Sequence, residues 1–167
     1  MGLGQMLLSV LAMALLGGVL LMMNNTTLDA GSSVETTEYV IMASSLGVSQ
    51  MEQALGKSFD ENTVSADIES PTSLSTTLGK DGAETEATFD DFDDYNGFTK
   101  TVVGDSLFFR SATYVLRDSV DYVTISGNAV VSSASRTYHK RLRVWVSSPF
   151  MKDTLKFATV YSYWYFR

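Results

Sequence analysis

The chain has 167 residues, no cysteine, one histidine and a net charge of −7, which excludes a disulfide framework, thiolate metal sites and covalent c-type haem. With the apolar N-terminus set aside, about 140 residues remain, enough for one soluble domain with its own core. The charge is unevenly spread: residues 1–98 hold 15 Asp and Glu against Lys57 and Lys80, and residues 99–167 hold 10 Lys and Arg against four Asp.

Two arrangements follow from that split. The basic half packs beside the acidic half within one domain, or copies of the chain meet acidic face to basic face, where complementary fields set register. Nucleic acid is a poor fit, because the basic residues lie singly along strand-like segments and only Lys140, Arg141 and Arg143 cluster. No repeat of 20–50 residues is visible, which argues against a solenoid.

The first element is the most informative. Met1 to Leu28 carries no charged side chain, and Gly2 to Met23 is an apolar run of 22 residues broken only by Gln5 and Ser9. As a helix it spans roughly the 30 Å hydrocarbon thickness of a bilayer. A secretory signal would carry a basic n-region, and an ordinary anchor would place positive charge on its cytoplasmic side; neither is present before Gln5. The chain reads as starting inside the helix, as a mature chain or an unprocessed one. Gly2, Gly4, Ser9, Ala12, Ala14, Gly17 and Gly18 permit close helix approach, though such residues are ordinary in any membrane helix. Met6, Met13, Met22 and Met23 read as adaptable packing. A charge-free helix of this kind either stays in a membrane or buries itself against identical helices.

Asn24 to Ser33 is polar, and Asn24-Asn25-Thr26-Thr27 holds two overlapping N-glycosylation sequons, at Asn24 and Asn25. Apolar residues then return at helical spacing through Val34, Ile41, Leu46, Val48, Met51, Leu55 and Phe59, with Glu38, Ser45, Ser49, Glu52 and Gln53 on the complementary face. This predicts an amphipathic helical extension over 29–59, ending near Gly56-Lys57. Asn24–Thr27 and Gly31–Ser33 favour a break or a weak point between the two helices.

Residues 60–98 are rich in Asp, Glu, Ser and Thr and read as a long surface loop, whose Ser and Thr over 62–77 are open to O-linked sugar. Asp90, Asp91, Asp93 and Asp94 place four carboxylates in five residues, with Asn96 able to add an amide oxygen. That is the best candidate for a hard cation such as Ca²⁺, without EF-hand spacing. The alternative is a solvated turn in which Asn96-Gly97 supplies positive φ.

Beyond Phe98 the pattern turns to β: Thr99–Val103, Leu107–Leu116, Tyr122–Ile125, Ala129–Ser133, Leu142–Val146 and Leu155–Phe166, with turn residues between them. Leu142, Val144 and Val146 share one face and Arg141, Arg143 and Trp145 the other. Ser126-Gly127-Asn128 reads as a tight hairpin. His139 stands alone as a histidine and reads as a sheet residue, without support for a zinc site or a catalytic triad. The aromatic ending Tyr161–Phe166 is simplest as a strand packing on the helix. No phosphate loop, nucleophile elbow or catalytic carboxylate pair appears, so enzyme activity is not expected.

This order of elements resembles the type IV pilin superfamily. Met1-Gly2-Leu3-Gly4-Gln5-Met6-Leu7-Leu8 can be laid on the family's mature start with Gln5 at its usual glutamate; cleavage after Gly2 would put Leu7 there instead. Ala54–Glu61 is similar to a pilin-like helix end, Phe89–Gly97 to an acidic loop of minor pilins, and Tyr138–Arg141 through Ser147–Pro149 to a penultimate strand and turn. The resemblance implies an α+β fold in four parts: an apolar assembly and membrane helix (1–28), the amphipathic extension (29–59), the acidic loop (60–98) and an antiparallel sheet (99–167). It implies a fimbrial subunit held in the inner membrane until pilus assembly machinery adds it to a homopolymer on a prokaryotic cell surface, with Met1 open to methylation. Gln5 departs from the family: it accepts a hydrogen bond from a neighbouring terminal amine but cannot neutralise it. Met1, Gln5, Ser9, Gly17 and Gly18 are the residues expected to line the assembly helix. The expected function is a structural filament subunit; the alternatives are a minor pilin or pseudopilin of a pilus or secretion machine, and a membrane-anchored extracytoplasmic binding domain.

Overall fold

The computed structural model describes residues 2–104 and 112–163. One helix, α1, runs from Leu3 to Leu55, followed by a short helix α2 (Glu61–Val64), 3₁₀ turns at Pro71–Ser73 and Asp93–Tyr95, and five strands. These are β1 (Thr99–Val103), β2 (Thr113–Ser126), β3 (Ala129–Ser132), β4 (His139–Ser147) and β5 (Leu155–Ser162). The fold is α+β, with an apolar N-terminal helix and an antiparallel sheet, and the chain divides into two compact units, Met1–Tyr39 and Val40–Arg167.

The interruption expected near residues 24–33 is not found: α1 is continuous through it. The Thr26 and Thr27 hydroxyls donate to the Met22 and Met23 carbonyls, each at 2.8 Å. Bonding to the preceding turn satisfies these hydroxyls inside the helix and removes their tendency to compete for a turn. The helix ends at Leu55, where the Gly56-Lys57 signal predicts its end, and Gly56 N–H donates to Glu52 O and Lys57 N–H to Ala54 O.

In the second unit the sheet order is β1-β2-β4-β5, with β3 paired to the far end of β2. All pairings are antiparallel. The two runs expected at 107–116 and 122–125 belong to one long strand, β2, as far as they are described; residues 105–111 and 164–167, which hold part of the first and the end of the last run, lie outside the described residues. The β2–β3 hairpin turns at Gly127, whose φ of +58° suits a residue without Cβ.

Strand alternation sets the core. Tyr114, Leu116, Val120 and Tyr122 of β2 and Leu142, Val144 and Val146 of β4 are buried on one face. Against them α1 presents Ala43, Gly47, Gln50 and Ala54, all buried. This corrects part of the expected apolar face: Phe59 is buried and Leu46, Met51 and Leu55 are half-buried, but Ile41 and Val48 are exposed, because the sheet packs closely on Ala43, Gly47 and Ala54.

Gly47 shows why small residues win there. A Cβ at this position would lie 2.5 Å from Phe157 Cε2 on β5 and 2.6 Å from its Cδ2. Gly47→Ala is therefore expected to destabilise the unit by about 1–3 kcal/mol through overpacking, less the roughly 1 kcal/mol that Ala contributes to a helix. Thermal unfolding checks this, with Phe157→Leu added in the same chain expected to recover part of the loss.

Candidate functional site

Two features remain once the core is assigned. The first is the surface of the first unit. Leu3–Leu28 forms an apolar helix long enough to cross a membrane, and none of it is buried within the chain. Leu7, Leu11, Leu15, Val19 and Met22 are all exposed. Gln5 and Ser9 lie on this helix and Ser9 Oγ donates to Met6 O at 2.9 Å. A Cβ at Gly17 or Gly18 would meet nothing within 4 Å. Met1 lies outside the described residues. Asn24 and Asn25 sit in the same continuous helix, exposed, rather than in a surface loop.

The second feature is a charged network inside the second unit. The run 89–95 is not the solvated turn of the alternative reading: Phe89, Asp91, Phe92, Asp93, Asp94 and Tyr95 are buried. Its backbone is stitched to the segment after α1, with Ser58 N–H donating to Asp90 O and Phe92 N–H to Ser58 O. Lys140, on the inward face of β4, reaches this junction and is fully buried. Its Nζ donates to Phe59 O at 2.8 Å, Asp60 Oδ2 at 2.7 Å and Asp93 Oδ1 at 2.5 Å. Asp60 is also the N-cap of α2 and accepts from Asn62 N–H, Ser75 N–H, Ser75 Oγ and Tyr122 Oη.

The electrostatics follow from burial and partners. Burial works to raise the Asp60 carboxyl, but the Lys140 ammonium and the Ser75 donors bring it below its ordinary value. Burial wins at Asp93, which is raised despite Lys140. Asp91 is pushed up to about 8 by burial and then by the charges of Asp93 and Asp94, and Asp94 up to about 6, mainly by burial.

The five residues considered for a cation do not converge on one point. Asp93 is bonded to Lys140; Asp91 and Asp94 each accept from the other's backbone N–H; Asn96 donates to Leu78 O and accepts from Val120 N–H. Asp90 and Asp94 instead gather with Glu84, a residue not included in the expected set, with one oxygen from each within 4.8 Å of the others.

The charge halves meet within the chain, through Lys140 with Asp60 and Asp93 and through Lys100 with Glu86. Arg141 and Arg143 both pair with Asp121. His139 is a sheet residue, its Nδ1 2.7 Å from Ser162 Oγ. Tyr161 packs on Phe59 and Phe92, and Tyr163 stacks on Tyr138, so the described part of the aromatic ending covers the Lys140 junction.

A separate buried carboxylate links helix to sheet. Gln50 Nε2 donates to Asp118 Oδ2 at 2.6 Å, while Asp118 Oδ1 has no hydrogen-bond partner among the described residues. Burial pushes Asp118 up to about 7. An acid raised in the folded state stabilises the fold below its unfolded value, and that stability is lost as pH climbs toward 7. Asp118→Asn is therefore expected to raise stability by about 2–4 kcal/mol near pH 8 and to change little near pH 4, as read by thermal unfolding at both pH values.

The elements define a protein class: an α+β chain with an exposed apolar N-terminal helix and an antiparallel sheet over the helix's C-terminal part, compatible with a pilin-like fold. Comparison with protein-family models, curated proteins and solved structures gives no match to this chain.

Proposed function

We propose that the chain is a structural subunit that polymerises through its N-terminal helix into an extracellular, type IV pilus-like filament and waits in a membrane before assembly. The observation that carries this reading is the Leu3–Leu28 surface: a membrane-length apolar helix with none of its residues buried within its own chain. Exposed apolar surface on this scale marks an interaction site. A bilayer covers it before assembly, and identical helices cover it afterwards.

The exposed apolar positions continue beyond the span. Val34, Ile41 and Val48, seven residues apart, are all exposed. A seven-residue apolar repeat is the pattern of a helix that packs lengthwise on other helices. In this reading the sheet takes the small-residue stripe of α1 and leaves the bulky stripe for neighbouring copies. Small residues at Gly17 and Gly18 let those neighbours approach closely.

The test is electron microscopy of material sheared from cells that make the chain, with mass spectrometry of its peptides. Filaments in which this chain is the abundant component support the reading. Filaments holding it only at trace level favour a minor pilin or pseudopilin, and its confinement to the membrane fraction favours an anchored binding domain.

A further inference from the structure

Lys140 belongs to a small set of groups whose chemistry exceeds what packing requires. Its side chain and that of Asp60 are 0% exposed and that of Asp93 is 3% exposed. The amine lies 4.7 Å from the centre of the Phe59 ring and 5.3 Å from that of Tyr122. We propose that this is a modification site, at which Lys140 Nζ condenses with the Asp93 side chain to form an intrachain isopeptide bond between β4 and the turn at Asp93–Tyr95.

The geometry brings the two reacting groups together, with the Nζ-to-Cγ approach left to a small side-chain rotation. Amine and carboxyl are in direct contact at 2.5 Å, inside a site walled by aromatic rings. Holding reacting groups in contact replaces an improbable encounter with a local step. Away from water, a proton passes from ammonium to carboxylate more readily, because the neutral pair is less costly to bury than two ions.

The three carboxyl groups divide the remaining work. Despite burial, Asp60 is brought below its ordinary value first by the Lys140 ammonium and then by the Ser75 donors, and it also accepts from Asn62 N–H, so it is the carboxylate placed to take a proton from Nζ. Among the described residues Asp93 accepts from no such set of backbone donors, and it is the electrophile. Asp91 hydrogen-bonds to the Asp93 side chain and, with burial raising it to about 8, carries the proton that steadies the developing oxyanion. Asp60 and Asp91 are positioning groups for proton transfer; Lys140 and Asp93 are the reacting pair.

The step balances without any co-reactant. The lone pair of the neutral Lys140 amine attacks Asp93 Cγ of the protonated carboxyl and forms the C–N bond. Asp60 takes a proton from the nitrogen and passes it to the departing hydroxyl, the C–O bond breaks, and one water leaves. Ammonium and carboxylate become amide and water, and Asp60 and Asp91 finish in their starting states. The Lys140 and Asp93 charges disappear, and Asp60, which loses its ammonium partner, keeps the Ser75 and Asn62 donors. A chain without cysteine thereby acquires a covalent closure.

The test uses the full chain, purified in detergent and shown by near-ultraviolet circular dichroism to be folded, then denatured, digested and sequenced by tandem mass spectrometry. The expected product is a branched peptide that joins the Lys140 and Asp93 segments and weighs one water less than their sum. Asp93→Asn is expected to give the same branched product, since ammonia leaves in place of water. Lys140→Arg keeps the positive charge and is expected to give no branch. A folded wild-type chain that yields only separate, unmodified peptides would overturn the proposal. So would a branch from Lys140 to Asp60.

Discussion

Lys140→Met is expected to be among the most damaging single substitutions in the globular unit, with a loss of about 3–5 kcal/mol. Methionine fills much of the same volume, so the loss measures charge rather than a cavity. Asp60 and Asp93 would be left buried without the ammonium they share, or the bond proposed to replace it. Asp60 would keep its donors from Ser75, Asn62 and Tyr122, while Asp93 would take up a proton. The damage should therefore fall as pH is lowered through the carboxylate range, because protonation removes the stranded charge. Chemical denaturation of wild type and Lys140→Met across pH reads both parts. A loss under 1 kcal/mol near neutral pH would mean that the network is wet and not the organiser of residues 56–98.

Deleting residues 1–28 is expected to turn a detergent-requiring chain into a soluble monomer. The described part of that segment is unburied within the chain, so its removal uncovers no core of the second unit, whose buried residues begin at Ala43. The fragment should unfold at close to the temperature of the full chain's globular unit and should sediment as a monomer. It should form no filaments, because the surface that joins copies in the proposed polymer has gone. Filaments from the fragment would show that assembly runs through the sheet unit, for example through the exposed β2–β3 hairpin.

How much of this was legible in the sequence depended on whether the signal was local. The apolar helix was plain, because a charge-free run of that length allows few solutions. The alternation Leu142, Val144, Val146 placed the inner face of β4, and Ser126-Gly127-Asn128 placed the hairpin, since both depend on neighbours in sequence. The continuity of α1 through Asn24–Ser33 was not legible: Thr26 and Thr27 are poor helix formers on average, and in the helix their hydroxyls bond back to Met22 and Met23. The buried face of the extension was misplaced for a related reason. Bulky residues mark a core in sequence, whereas close approach of a sheet selects Ala43, Gly47 and Ala54.

The Lys140 network was hidden more deeply. Lys140 read as one of three clustered bases and Asp93 as one of four clustered acids, and their partnership across 47 residues of sequence exists only after the sheet forms. One sign was available. Lys140 shares the parity of Leu142, Val144 and Val146, so strand alternation pointed it inward. A charge on the apolar face of a strand calls for a buried partner of opposite sign.

Electron cryomicroscopy of the sheared filaments tests the central claim most directly. The prediction is a single helical lattice in which residues 3–28 of successive copies pack against one another along the axis and the sheet units form the outer layer. Filaments whose contacts run through the sheet units, with residues 3–28 left outside the core, would contradict it.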